Sequence, residues 1–321
     1  MERTVVNFSS EFDKISPSDS ILLMGSCFST NIGQALKSHK FDSESNPFGI
    51  VFHPFSIYSL LKRAMEERLF IGDDFFERDK YWFSFELGAN TGKSSLEEAV
   101  FWSNSQLFIL QKYLKKSTRL ILTFGTAFGF LRGGKIVGNC HKMNNDLFTK
   151  EMTSPADLLN ESTRVINQLS AYNPNLKIHI TVSPIRHTKE GLRENNLSKG
   201  TLLLLTKKLE LNFKHIEYIP TYELVIDELR DYSFFNTDLI HLNSRGIDII
   251  WSRIISWFMN EDSVVYINNI SIILKQLKHK TLYPKSTSNV KFKKALVEKM
   301  KGDCNLWIDE IQVIENELLN L

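Results

Sequence analysis

Four short apolar runs, far apart and separated by helical patterns, constrain this chain more than any other feature: SILLMG (20–25), RLILTFG (119–125), KIHITVSP (177–184) and IEYIPTYEL (216–224). Each is rich in Ile, Leu, Val or Thr, and turn-forming residues close the first three, as in strands buried on both faces. Helical periodicity falls at 28–38, 155–171, 198–213 and 244–260, with Thr153 or Ser154 as a cap and Pro155 in the first turn of the second. Strands alternating with helices predict a three-layer α/β fold around a mainly parallel sheet.

The stretch 50–118 fits this alternation less well. It holds an apolar-aromatic helix over 55–70, an aromatic strand over 80–87 and a helix over 95–115, and is expected to be an insertion or lid. Beyond Asn260 the pattern turns wholly helical, over 262–278 and 290–318, joined by TLYPKSTS. The expected organisation is one α/β domain over 1–260 and a small helical C-terminal subdomain over 261–321, whose helices offer a route to oligomers. No internal repeat or low-complexity tract interrupts it.

A net charge of +2 over 321 residues argues against a nucleic-acid surface or a polybasic membrane face. The basic clusters at 112–119 and 291–301 alternate with apolar residues and read as solvated helix faces. Three widely spaced cysteines, Cys27, Cys140 and Cys304, form no CxxC pair, so neither a zinc ribbon nor a disulfide scaffold is indicated. The spacing of Cys140, His141 and His187 gives a metal site no support, and no cofactor is expected. No run reaches a membrane span, and the start MERTVVNFSSEFDK lacks a signal-peptide layout, so the expected setting is cytoplasmic. GANTGKSS (88–95) resembles a phosphate-binding loop but has three residues where the Walker pattern needs four.

In open α/β sheets, ligands bind beyond the carboxyl ends of the strands. The first strand delivers Gly25-Ser26-Cys27 into a helix, where glycine permits the tight turn and free N–H groups favour negative charge. Ser26 there can cap the helix and Cys27 fill a small core space; either can also be a nucleophile, and helix start plus His241 would then depress the thiol pKa. The third strand ends in SPIRH (183–187), which places Arg186 and His187 where loops face a ligand. Asn196 or Ser198 is expected to cap the following helix, beside Lys199. After the fourth strand, Asp238 precedes His241 by three residues on a loop entering the last α/β helix, a spacing that lets the carboxylate hold one imidazole tautomer.

The blocks GSCF (25–28), NPFG (46–49), LTFGTAF (122–128), NCHK (139–142), SPIRH and DLIH (238–241) are similar in type and order to those of the GSCFA family. The resemblance covers about residues 5–260 and extends into HKTLYPKS (279–286). It implies kinship with SGNH/GDSL-like acyl-esterases and lipases, a flavodoxin-like α/β/α fold, and ester hydrolysis or acyl transfer on a small-molecule or glycan ester. Aligned without a gap on the superfamily's Gly-Asp-Ser turn, Cys27 takes the nucleophile position and Ser26 that of the aspartate; a one-residue shift reverses this. Asp238 and His241 complete the catalytic set, and amides at Gly25 and Gly49 serve the oxyanion. Ala127 stands where the superfamily has the asparagine of Gly-x-Asn, so Asn139 is the expected substitute donor. His141, Arg186 and His187 are expected to contact substrate. The missing asparagine also leaves open a non-catalytic module that binds an acylated or glycan-like ligand.

Overall fold

Strand β1 (Ser20–Gly25) is buried at every position, and its alternating side chains enter two different packing layers. The computed structural model describes residues 4–279 and 281–319; residues 1–3, 320–321 and Lys280 of the HKTLYPKS block lie outside the described residues. The described chain forms two compact units, one reaching Lys37 and running from Phe41 to Met259, the other comprising Ser38–Lys40 and the residues from Asn260 onward.

In the first unit, β1 leads into α1 (Cys27–Ser38) and then β2 (Asp42–Ser45). Helix α2 (Pro54–Met65) follows, then a hairpin of β3 (Phe76–Arg78) and β4 (Tyr81–Phe83), and α3 (Leu96–Lys116). Strand β5 (Arg119–Phe124) precedes a three-stranded antiparallel element, β6 (Phe128–Arg132), β7 (Lys135–Ile136) and β8 (Thr149–Met152). Then come α4 (Pro155–Tyr172), β9 (Lys177–Val182), α5 (Leu192–Asn212), β10 (Ile216–Tyr218), the single turn α6 (Thr221–Glu223), a π-helical turn over Leu224–Glu228, and α7 (Ser244–Phe258).

Five of these strands form one parallel sheet in the order β10-β9-β5-β1-β2. The chain therefore winds outward in both directions from β1 and β5, giving the flavodoxin-like order with its switch point between those two strands. Leu22, Met24, Leu120, Leu122, Ile178 and Ile180 pack into the core made with α2, α3, α4 and α5. Their sequence neighbours Ile21 and Ile121 face the opposite layer, where Phe28, Ile32 and Leu36 of α1 meet Ile254 and Phe258 of α7.

Several expectations need correction. Segment 50–118 is not a lid: Ile57, Tyr58, Leu60 and Leu61 of α2 and Leu107 and Leu110 of α3 are 0% exposed and belong to the main core. The expected strand over 216–224 stops at Tyr218, because Pro220 lacks an N–H and the chain turns into α6. Strand β2, DSES, gave no apolar signal; it is a four-residue edge strand with only Ser43 buried. Helix α5 begins at Leu192 after Gly191, so Asn196 and Ser198 lie inside it and cap nothing.

The second unit contains α8 (Glu261–Leu277), α9 (Thr287–Lys301) and α10 (Ile308–Leu319) around Ile270, Ile273, Leu296, Met300 and Trp307. The helix expected over 290–318 is broken after Lys301, where Gly302 caps α9 and Trp307 turns into the core. Lys40 closes this unit, 2.7 Å from Glu310 and 4.5 Å above the Trp307 ring. Among the described residues, no helix is long and apolar enough to cross a membrane.

Candidate active site

Gly25 makes the turn from β1 to α1 with φ +136, and a Cβ there would lie 2.2 Å from the Thr123 carbonyl oxygen of β5. Only glycine fits a backbone so close to its neighbour. The next residue, Ser26, is 4% exposed and acts as helix cap: its hydroxyl accepts the Phe28 N–H at 3.3 Å, and its own N–H goes to Thr123 O. Cys27, at the first helical position, faces a pocket of about 320 Å3. Of the two candidates, Cys27 lines this pocket and Ser26 does not.

His241 lines the same pocket from the loop before α7. Its Nδ1 is 2.7 Å from Asp238 Oδ2, and Asp238 Oδ1 accepts the N–H groups of Ile240 and His241 at 2.9 Å each. These backbone N–H groups, with the imidazole, hold the Asp238 carboxyl down at about 2. A charged acceptor on Nδ1 makes that nitrogen the donor and leaves Nε2 as the proton acceptor. The rest of the wall is mostly apolar: Phe28 and Ile32 from α1, Ile185 from the loop after β9, Ile247 and Ile250 from α7. Asn31 and Asn236 add side-chain amides; sequence reading missed both, since neither lies in a charged or nucleophilic motif.

Burial raises the Cys27 pKa above its ordinary value, outweighing the opposing pull of the Cys27 and Phe28 amides and of Lys199. The expected depression by the helix start is thus overturned: desolvation wins.

The expected oxyanion groups fare unevenly. The Gly25 N–H donates to Asn46 Oδ1 at 2.8 Å, and the Gly49 N–H donates to Asn46 O at 2.9 Å, so both amides are already engaged. Asn46, which also reaches Ser26 O and Thr30 Oγ1 through Nδ2, is therefore the residue that ties the NPFG block to the GSCF turn. Asn139, the expected substitute donor, does not line the Cys27 pocket; its Oδ1 accepts the His141 N–H within its own turn. His141 is 7% exposed, with Nε2 2.8 Å from Ser84 O and its ring 4.9 Å from Phe83, so it packs against the segment after β4 instead of meeting substrate at Cys27. The Cys27 amide, the first of α1, acts on the thiol from the helix start.

Arg186 lines an adjoining pocket of about 340 Å3 that shares Pro184 with the first and is bounded by Leu239 and Ile240 of the DLIH turn. The His187 ring packs 5.0 Å from Phe52, and burial together with Lys199, Lys150 and His241 lowers its pKa to about 4. Its backbone N–H goes to Asn195 Oδ1. Asn195 is one of three buried polar residues on a single face of α5 that hold the loops at the strand ends. Ser198 Oγ accepts the Ala127 N–H at 2.7 Å, and Lys199 Nζ donates to Gly125 O and Ser183 O at 2.5 and 2.6 Å. The i, i+3, i+4 spacing of these residues in a leucine-rich helix was the available sequence signal. Among the described residues, no group of three or more His, Cys, Asp or Glu is placed to hold a metal ion.

A family model described as the GSCFA family matches residues 20–254, which includes all six sequence blocks and both sides of the Cys27–His241 pocket. No curated protein and no solved structure matches the chain.

Proposed function

The chain belongs to the GSCFA family, and from that premise we propose that it is an SGNH-like acyl-transferring enzyme, hydrolase or acyltransferase, acting on an ester through a Cys27–His241–Asp238 set. The observation that carries this reading is that Cys27 and an imidazole already oriented by a carboxylate line one small, mostly apolar pocket at the switch point of the sheet. Its volume, about 320 Å3, lies near the small end of ligand pockets (roughly 300–1,000 Å3), which favours a compact acyl group.

His241 Nε2 takes the thiol proton as the sulfur attacks the acyl carbonyl carbon, so thiolate is generated during attack instead of standing exposed beforehand. The Cys27 amide at the helix start stabilises the oxyanion that forms. Collapse expels the alcohol, which takes the proton from His241 and leaves a thioester. Water or a second hydroxyl then gives its proton to His241, attacks the thioester, and the thiol is restored.

The engagement of the Gly25 and Gly49 amides favours one other reading, a module that binds an acylated or glycan-like ligand without turning it over. Loss of a single oxyanion donor costs about 10²–10³ in rate. A panel of esters of graded acyl length separates the two. Turnover abolished by both Cys27→Ala and His241→Ala supports the enzyme; saturable binding with no turnover of any ester supports the module and removes the enzyme.

A further inference from the structure

Two concave pockets meet at the strand-end loops, and their linings differ in kind. The one at Cys27 and His241, about 320 Å3, is lined by no Arg, Lys, Asp or Glu. The neighbouring one, about 340 Å3, is lined by Arg186, Arg230 and Tyr232 on an otherwise apolar wall, and no carboxylate lines it. Arg230 is held from outside that lining by Asp227 at 3.0 Å. Arg186 has no carboxylate partner among the described residues. A guanidinium stays charged at any ordinary pH, and a hollow lined by one sign of charge draws in the other.

Pro184 lines both pockets, and the DLIH turn divides them: Leu239 and Ile240 line the second, His241 the first. In the proposed reaction the leaving oxygen takes its proton from His241, so it lies at this boundary while the acyl group fills the Cys27 pocket. The rest of the alcohol then has the second pocket beside it.

We propose that the second pocket is the subsite for the alcohol portion of the ester, and that this portion carries an anion, a phosphate monoester or a carboxylate, bound by Arg186 with Arg230 beside it. The proposal rests on the reading of Cys27 and His241 as the reacting pair. The planar fork of Arg186 suits two oxygens of either anion, and the apolar wall contacts the carbon skeleton. The substrate is therefore an ester with an apolar acyl end and an anionic alcohol end. An acceptor hydroxyl that replaces water in the second half of the cycle enters by the same pocket and carries the same charge.

Paired esters test this: 1-butyrylglycerol 3-phosphate against 1-butyrylglycerol, and butyryl glycolate against its uncharged amide. The readout is the ratio of kcat/KM within each pair. The unsubstituted protein is expected to favour the charged member of at least one pair about tenfold or more, chiefly through KM, and the pair that shows it tells phosphate from carboxylate. Added salt should shrink the ratio. Arg186→Gln is expected to bring it close to one, Arg186→Lys to recover part of it, and Arg186→Glu to invert it, which separates charge from packing. A ratio near one in both pairs for the unsubstituted protein overturns the proposal, and so does a preference that Arg186→Glu leaves intact. Where no ester is turned over, calorimetric binding of glycerol 3-phosphate and glycolate against glycerol decides. Charge-selective binding lost in Arg186→Glu removes the proposed reaction and keeps the subsite; its absence removes both. Turnover without charge preference removes the subsite alone.

Discussion

The imidazole Nδ1 of His241 lies 2.7 Å from Asp238 Oδ2, inside a turn whose other carboxylate oxygen binds two backbone N–H groups. Leu239, between them, adopts the left-handed region at φ +55 to let the turn close. Orientation of the ring is therefore a local property of four residues. The position of Cys27, by contrast, depends on β1, on Gly25 lying against Thr123, and on Asn46 reaching across from the end of β2. The proposed chemistry joins a preassembled base to a sulfur placed by the whole sheet.

Asp238→Asn should separate orientation from stability. An amide facing Nδ1 favours the tautomer with the proton on Nε2, which then cannot accept from the thiol. The expected loss in kcat/KM toward an ester is about 10³–10⁴, with the melting temperature nearly unchanged because the turn lies at the surface. Activity within about threefold of the unsubstituted protein would show that ring orientation by Asp238 does not matter.

Ser26→Ala removes a helix cap and should lower stability by about 1 kcal/mol in urea unfolding. Because the hydroxyl is buried under α1 and does not line the pocket, labelling of Cys27 and ester turnover should persist. Turnover that survives Cys27→Ala but not Ser26→Ala would move the nucleophile to the serine.

The sheet was legible where it is buried on both faces. SILLMG, RLILTF and KIHITV carry the unbroken apolar runs that such strands require, and their ends pointed to the Gly25–Cys27 turn. The edge strand DSES was not legible, because an edge strand with little burial needs no apolar pattern. The DLIH turn could be read because its geometry is local. The roles of Asn139 and His141 could not, since nothing in NCHK reveals that its turn folds against Ser84 and Phe83. Lys199 escaped for the opposite reason: a lysine in a helix is ordinarily solvated, and only the packing of α5 on the strand ends makes it a buried charge.

Arg63 should prove to be the structural knot of the segment first read as a lid. Its guanidinium is fully buried, 3.0 Å from Asp74, 2.9 Å from Glu86 and 3.9 Å from the Phe70 ring centroid. Removing one partner of a buried pair costs about 3–5 kcal/mol. Asp74 and Glu86 keep 20% and 30% of their side-chain surface, so water can re-solvate them and Arg63→Ala should fall at the lower end, about 3 kcal/mol. Lys should recover only part, because it cannot bridge both carboxylates with a planar fork. Urea unfolding of the three proteins checks the order; an alanine variant within about 0.5 kcal/mol of the original would show that the ion pairs are energetically idle.

His53 sets a pH dependence of stability whose sign can be worked out. It caps α2 by accepting the Phe55 N–H on Nδ1 at 3.1 Å, while Nε2 faces Ala127 O and Thr153 Oγ1. That arrangement needs a neutral ring, and burial lowers its pKa from 6.5 to about 4. Between these values the unfolded chain binds one more proton than the folded one, so stability rises with pH through the window. The contribution is fully present above about 6.5 and is lost as pH falls, amounting to about 3 kcal/mol by pH 4 at 1.36 kcal/mol per unit. His187, also near 4, acts in the same direction. His53→Asn preserves a capping acceptor but does not titrate. Urea-unfolding free energies of both proteins at pH 7, 6 and 5 should therefore converge as pH falls, with the variant's curve flatter by about one proton's slope. Parallel curves would mean that the His53 ring binds protons equally in the folded and unfolded chains, and would remove the capping role assigned to Nδ1.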